Sequence, residues 1–382
     1  MKSPKASLEE QIEGLKDPRR DHCKKYDLKT VIILAVVAMI AGAEDWVGIE
    51  RYCKLKMSWL KKIVALPNGI PSHDTFRRVF ALLEPEAFQV CFMNWVRSLV
   101  QLKFGEIVAL DGKVVRRSQD RWKGKEAIQT VSAWASMAGL VLAQRHVKEG
   151  SNEIATVPEV LRSLALQGCI VTVDAANCQT QNARIVVEQG GDYVFALKDN
   201  QPTLFAEVSK AYETKATDDF KAIKQEAFTT RNKSHGRIET RHHILINDPE
   251  YIEYFNRQER WWQMAGIGIV ERTRQLKDKT EHSVHFFVTS LKHNVKQFAD
   301  AVRRHWSIEN NLHWTLDIAF DEDHSRARTA FEAENLTVLR HIALNMLKLE
   351  TSVKDSINGK RQRAGWNDDY MLTVLLAGPP LN

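Results

Sequence analysis

Three acids in this chain have the type and the surroundings for metal-assisted phosphoryl chemistry. Asp111 ends the apolar run IVALDG (Ile107 to Gly112), and Asp174 ends CIVTVDA (Cys169 to Ala175). Both runs read as strands buried on both faces. Glu309 lies in Phe298 to Arg328, FADAVRRHWSIENNLHWTLDIAFDEDHSRAR. Wound at 100° per residue, that stretch carries an apolar stripe of Phe298, Val302, Leu312, Leu316 and Phe320, with Glu309 in its middle. A carboxylate facing a packed interior is costly unless a cation or a metal meets it. Three carboxylates from separate elements suit a hard divalent cation. Mg²⁺ takes one or two protein carboxylates per ion, so the trio can hold a pair of ions about 3.5–4 Å apart. Such a pair activates a hydroxyl nucleophile and stabilises the entering and leaving oxygens at phosphorus.

Other readings of the same residues stay open. An aspartate at a strand end also caps a following turn. His305, Glu309 and His313 are spaced by four and would line one helical face as a zinc site, although H-E-x-x-H spacing is missing. Asp317, Asp321, Glu322 and Asp323 compete as the third acid and read equally as a solvated helix end.

Cations flank these acids. After Asp111 come Lys113, Arg116, Arg117, Arg121, Lys123 and Lys125; Arg303 and Arg304 precede Glu309, and Arg326 and Arg328 follow it. Ser234-His235-Gly236-Arg237 with Arg241 reads as a further cationic loop. Charge runs often mark a solvated face, but here they suit a centre working on a polyanionic backbone. Trp122, Trp261, Trp262, Trp306 and Trp314 are candidates for base stacking or for ordinary packing.

The elements that must position the acids follow from periodicity. Residues 1–25 are polar and read as a surface segment. Helices are expected over Leu28 to Ala43, Trp46 to Ile63, a stretch capped by Ser72, and Phe88 to Leu102. These make an all-helical N-terminal domain, 1–103, which is either a helix-turn-helix with Arg77 and Arg78 on phosphates or a plain bundle. From 104 the pattern is α/β. Strands over Ile107 to Gly112, Ala127 to Ser136 and Leu140 to Val147 precede alternating helix and strand through Tyr212, implying a mixed sheet with flanking helices. A β-rich insertion is expected at about 220–291, with strands at His242–Ile246, Trp262–Arg272 and His282–Thr289. Helices then return, including Glu332 to Leu349 and a short one at Tyr370 to Leu376.

The whole chain sets bounds. It has 382 residues, 44% hydrophobic and 27% charged, with 54 Lys plus Arg against 48 Asp plus Glu for a net charge of +6. That excess favours an anionic partner. The longest apolar run, Val31 to Ala43, falls short of the roughly 20 residues a membrane span needs, so it reads as a buried helix. Cys23, Cys53, Cys91, Cys169 and Cys178 form no C-x-x-C pair, the pattern of reduced thiols in a cytosolic protein.

Taken together, the order strand–Asp111, strand–Asp174, β-rich insertion and helix–Glu309 resembles the DDE transposases of bacterial insertion sequences, most closely the H-repeat-associated group linked to Rhs elements. The resemblance runs through AGAEDW (Ala41 to Trp46), GIPSHDTFRRV (Gly69 to Val79), ALDGK, SNEI, DA, GGDYVFALKDNQ, SHGR and HWSIENNLHW. It implies an RNase H-like core in which Asp111, Asp174 and Glu309 bind two Mg²⁺ ions, with Mn²⁺ as a substitute. It also implies nicking of double-stranded DNA at element ends and attack of the freed 3′-hydroxyl on target DNA. A homodimer or higher oligomer in the cytoplasm, associated with the nucleoid, would bring two ends together. Lys198, Asn200 and Gln201 are implied DNA contacts, beside Lys113, Arg116, Arg117, His235, Arg237, Arg304 and His305. Related transposases place Tyr, Arg and Lys around the glutamate; those positions hold Val302, His305 and Leu316 here. A domesticated DNA-binding protein and a plain metal-dependent nuclease are the rival functions.

Overall fold

The computed structural model describes residues 4–119, 126–215, 223–234 and 237–377. Its centre is a nine-stranded mixed sheet. The strands are β1 (Ile107–Val114), β2 (Gln129–Ala135), β3 (Leu140–His146), β4 (Ile170–Val173), β5 (Asp192–Leu197), β6 (Gln225–Ser234), β7 (Arg237–Ile246), β8 (Gly266–Gln275) and β9 (Thr280–Thr289). They lie in the order β3-β2-β1-β4-β5-β9-β8-β7-β6. β1 pairs antiparallel with β2 and parallel with β4, and β4 is parallel to β5. The runs Ile107–Leu110 and Ile170–Val173 are buried throughout because helices cover both faces of these inner strands.

Register sets the two aspartates side by side. Ile107 pairs with Ile170 and Leu110 with Val173, so Asp111 and Asp174 come side by side just past the last pair of the β1–β4 ladder, while β1 itself continues to Val114 against β2. The two-residue period puts them on the face shared by Ile107 and Ile170, which packs under the Val295–His305 helix with Phe298 and Ala301.

The segment read as an insertion continues this same sheet. β9 pairs antiparallel with β5, and β8, β7 and β6 follow outward as a meander. Its outermost strand, QEAFTTRNKS, escaped the sequence reading because it is mostly polar, as an edge strand can be. Residues 1–25 also differ from expectation. Pro4–Glu13 is a helix whose Leu8 and Ile12, one turn apart, are buried against the Pro85–Leu99 helix. Leu28–Ile40 and His73–Leu82 fall close to expectation, with Ser72 accepting from the Thr75 amide. The single helix expected over Trp46 to Ile63 is broken into Trp46–Leu55 and Met57–Leu60, and Ile357–Trp366 is a helix that periodicity did not indicate. The Ser72-capped helix stops at Leu82, short of Pro85, and Pro85 opens the next helix at its first turn, where its missing N–H costs nothing.

The Glu332–Leu349 helix packs against the Leu28–Ile40, His73–Leu82 and Pro85–Leu99 helices and against β3. One hydrophobic cluster therefore runs from the N-terminal helices into the sheet. Among the described residues no helix is long and apolar enough to cross a membrane.

Candidate metal centre

Glu309 reaches the aspartates through an irregular helix. Val295–His305 is α-helical, Glu309–His313 forms a π turn, and Trp314–Phe320 resumes the α form. A π turn holds more residues than an α turn and rotates the helix beyond it. Phe298, Leu312, Leu316 and Phe320 face the core as expected, but Glu309 does not: its side chain is 61% exposed. The 100° projection placed it in the buried stripe because it assumed unbroken α geometry. The carboxylate instead faces a cavity of about 1100 Å³ that also takes in Asp111, Thr172, Asp174 and His305.

One ligand atom each from Asp111, Glu309 and His313 lies within 4.8 Å of the others. His313 Nδ1 is 3.5 Å from Asp111 Oδ2 and 3.4 Å from Glu309 Oε2. Burial pushes its imidazole toward the neutral form, and its Nε2 is buried without a hydrogen-bond partner among the described residues. Asp174 borders the same cavity but turns Oδ1 to Asn177, which donates from its backbone N (3.1 Å) and Nδ2 (2.9 Å). The His305–Glu309–His313 trio does not assemble. His305 Nδ1 sits 3.0 Å from Thr172 Oγ1, and burial pushes that ring down to about 4.

A fourth carboxylate was missed. Glu153 opens the Glu153–Arg162 helix, next to the Asn152 cap, and an acid in a first helical turn carries no local mark of a site. Its Oε1 accepts from Asn177 Nδ2 (2.6 Å) and its Oε2 from Gln129 Nε2 (3.0 Å). It approaches β1 so closely that a Cβ on Gly112 would lie 2.3 Å from Oε2. The glycine after Asp111 makes room for it. Burial foremost, then Glu153, Asp174 and Glu309, push the Asp111 carboxyl up to about 7; burial raises Glu153 as well. Carboxylates gathered with a neutral imidazole, and with no Lys or Arg salt-bridged to any of the four acids among the described residues, form a donor set suited to a divalent ion.

The cations have varied positions. Lys113 is only 12% exposed and pairs with Asp317, with Glu322 at 3.5 Å and with Asp323 at 3.5 Å. Those acids therefore bind the strand rather than form a solvated helix end. Glu322, itself buried, also meets Arg340 at 3.4 Å. Arg116 is exposed beside Asp323 at 3.3 Å, and Arg117 is exposed with its carbonyl accepting from Arg328. Arg304 binds Asp300 in the same helix at 2.8 Å. Lys198 is exposed at the cavity with Arg237 nearby on its lining, whereas Asn200 and Gln201 donate to the Cys178 carbonyl at 3.4 and 3.0 Å. His235, like Arg121, Trp122, Lys123 and Lys125, lies outside the described residues. Trp306 and Trp314 are exposed on the Glu309 segment, while Trp261 is buried.

With this geometry in place, the comparisons with known proteins fall into line. Residues 102–346 match the family model described as "Transposase DDE domain", and residues 9–96 match the one described as "DDE_Tnp_1-associated". The chain belongs to this DDE transposase family. Within it, the chain is similar to the "H repeat-associated putative transposase YhhI" of Escherichia coli (strain K12), 34% identical over 96% of this chain and 97% of that one. It is also similar to the "Putative transposase YncI" of Escherichia coli O157:H7, 36% identical over 97% and 94% of the two chains. Among solved structures, a chain of a piggyBac transposase synaptic complex with hairpin DNA aligns at a TM-score of 0.46 and 9% identity, covering 100% of this chain and 83% of that one. That likeness is too distant to carry argument.

Proposed function

We propose that this protein is a metal-dependent DNA transposase that nicks element ends and joins the freed 3′-hydroxyl to target DNA. One observation supports this above the others: within a chain of a transposase family, Asp111, Glu309 and His313 converge beside Asp174 where the parallel ladder of β1 and β4 ends. The order β3-β2-β1-β4-β5, with β2 reversed, supports an RNase H-like core. The all-helical stretch before residue 103 is a second candidate DNA contact.

Asp111, Glu309 and His313 would hold one divalent cation, and Asp174 with Glu153 would serve a second once Asn177 yields an oxygen. Mg²⁺ is the expected ion and Mn²⁺ its substitute. A bound cation of this kind supplies positive charge at the scissile phosphate and lowers the pKa of a coordinated hydroxyl. The chain supplies the rest. Lys113 fixes β1 to the Glu309 side of the site through Asp317 and Glu322. Gly112 admits Glu153, and His305 holds the turn before Glu309 against Thr172. Arg116, Arg117, Lys198 and Arg237 offer charge to a DNA backbone; His235 falls in the same stretch as Arg237, and Asn200, Gln201, Arg304 and His305 border the path. Two element ends require at least two copies of the chain, acting at the nucleoid.

The test is strand cleavage and transfer on DNA carrying the inverted repeats that flank the gene, with Mg²⁺ or Mn²⁺. Asp111→Asn and Glu309→Gln are each expected to lower the rate by about 10³-fold or more, since each removes an anionic ligand from the proposed cation that serves the scissile phosphate. Unchanged cutting by either variant overturns the assignment. Cuts without joined products would assign a nuclease instead.

A further inference from the structure

The strands of the sheet extension are longer than the helix that covers them. Val295–His305 packs its Phe298 against Phe287 and His243, and leaves no room for a side chain at Gly268. Beyond that cover, the same face of β7 and β8 carries Glu239, Arg241, Arg272 and Arg274. Register makes this a single patch: Arg241 lies opposite Arg272, and Glu239 opposite Arg274. Residues two apart on a strand are about 6.8 Å apart, and neighbouring strands about 4.8 Å. The helix end adds Arg303, and the patch walls the cavity that holds Asp111, Asp174 and Glu309.

Charge in the patch is unbalanced. The Glu239 carboxylate contacts Arg241, meets Arg272 at 2.8 Å and reaches Arg274 only at 4.0 Å. Glu281 touches Arg274 at 3.8 Å from the next strand. Arg303 has no carboxylate within salt-bridge distance among the described residues and adds to the field on Arg241. A sheet face left uncovered toward a protein interior is normally apolar. This one presents guanidinium groups, oriented by one buried acid, toward a cavity that ends at the metal centre.

We infer that Arg241, Arg272, Arg274 and Arg303 form a phosphate track that holds the DNA strand being cut, on one side of the scissile bond, with Glu239 as the positioning residue that fans the guanidinium groups. The inference rests on the transposase reading for the identity of the polyanion. Guanidinium groups suit the role because their planar fork engages phosphate oxygens in pairs. A strand lying on the patch runs directly toward the acids, so the track and the centre share one substrate.

The test compares full-length proteins binding a labelled DNA duplex of arbitrary sequence across a KCl series, without divalent metal. Four are needed: the unaltered chain, Arg272→Ala/Arg274→Ala, Arg272→Lys/Arg274→Lys, and Lys277→Ala/Lys279→Ala. The last pair removes equal charge from the exposed β8–β9 turn, off the cavity wall. The alanine pair at 272 and 274 is expected to make the plot of log K against log salt shallower by about 2, with roughly tenfold or greater weakening at low salt. The lysine pair should restore most of the slope, which also shows that the effect is not misfolding. The turn variant should stay near the unaltered chain. Equal losses from both alanine pairs, or an unchanged slope in Arg272→Ala/Arg274→Ala, overturn the track. An unchanged slope together with intact cleavage by the unaltered chain and none by Asp111→Asn would sink the track alone. No salt-dependent DNA binding by the unaltered chain would sink the track and the transposase reading together.

Discussion

Asp111 illustrates how the proposed metal site would be held at the expense of stability. Its carboxyl is pushed up to about 7 by burial and by three neighbouring acids, so the folded protein keeps a proton that the unfolded chain gives up near pH 4. Between those values the folded state binds more protons, and stability falls as pH rises. Asp111→Asn is therefore expected to raise the melting temperature in EDTA at about pH 8, by at most about 4 kcal/mol in stability, with the gain vanishing toward about pH 4. On the proposed metal assignment Mg²⁺ or Mn²⁺ is expected to stabilise the unaltered chain, and the same variant should lose that gain. A variant no more stable than its parent at pH 8 would contradict this account of the site. His341 works in the opposite direction. It is fully buried, neither ring nitrogen has a hydrogen-bond partner among the described residues, and burial pushes it down to about 3. Only the unfolded chain takes up the proton below about pH 6.5, so stability falls with falling pH, by roughly 2 kcal/mol at about pH 5 from this residue. His341→Phe, beside Phe92, should flatten that part of the melting-temperature profile. At this scale the sequence was informative wherever an acid ended an apolar run, as at Asp111 and Asp174. It was silent on Glu153 and Asn177, whose role comes from a contact between β1 and a helix start that no local pattern records.

Among the elements, buried strands were the most legible, since IVAL and IVTV allow little else. The π turn at Glu309–His313 was not, because a projection at fixed angle cannot register an extra residue in one turn. The same error paired His313 with His305, whereas the turn swings it to Asp111. Deleting Asn311 should convert the π turn to α geometry and rotate Glu309 against His313. The expected result is loss of the metal-induced rise in melting temperature and of cleavage, with the metal-free melt lowered far less than a core deletion would lower it. Retained metal response would mean that the irregular turn is incidental. A second element-level test concerns the cover on the sheet extension. A methyl group at Gly268 would lie 2.2 Å from the Phe298 ring, so Gly268→Ala should cost about 1–3 kcal/mol by forcing the helix off β8. That shift would be seen in urea melts.

At the scale of the whole molecule, the chain reads as a helical part followed by an α/β part, and the two family matches divide it near the same point, at 96 and 102. Packing ties those parts together. The Glu332–Leu349 helix is buried along nearly its whole length, between the N-terminal helices and the sheet. Its ends are stitched to both sides by polar contacts. Glu332 accepts from the Trp46 indole, Asn335 Nδ2 donates to the Phe80 and Leu83 carbonyls at 2.7 and 2.8 Å, and Asn345 exchanges hydrogen bonds with the Val141 backbone at 2.8 and 3.0 Å. Sequence alone suggested a helix here but neither its burial nor its partners, because contacts across some 250 residues leave no periodic trace. Phe80 and Leu83 lie at the end of the His73–Leu82 helix, where carbonyls lack partners within the helix. Asn335→Leu would leave both buried and unpaired, at about 1–3 kcal/mol each. Because one cluster spans the two parts, the loss is expected to lower a single melting transition rather than split it. Calorimetry of the Asn335→Leu chain decides the point. Two separated transitions would show that the helical part and the sheet fold independently, and that the shared helix only docks them.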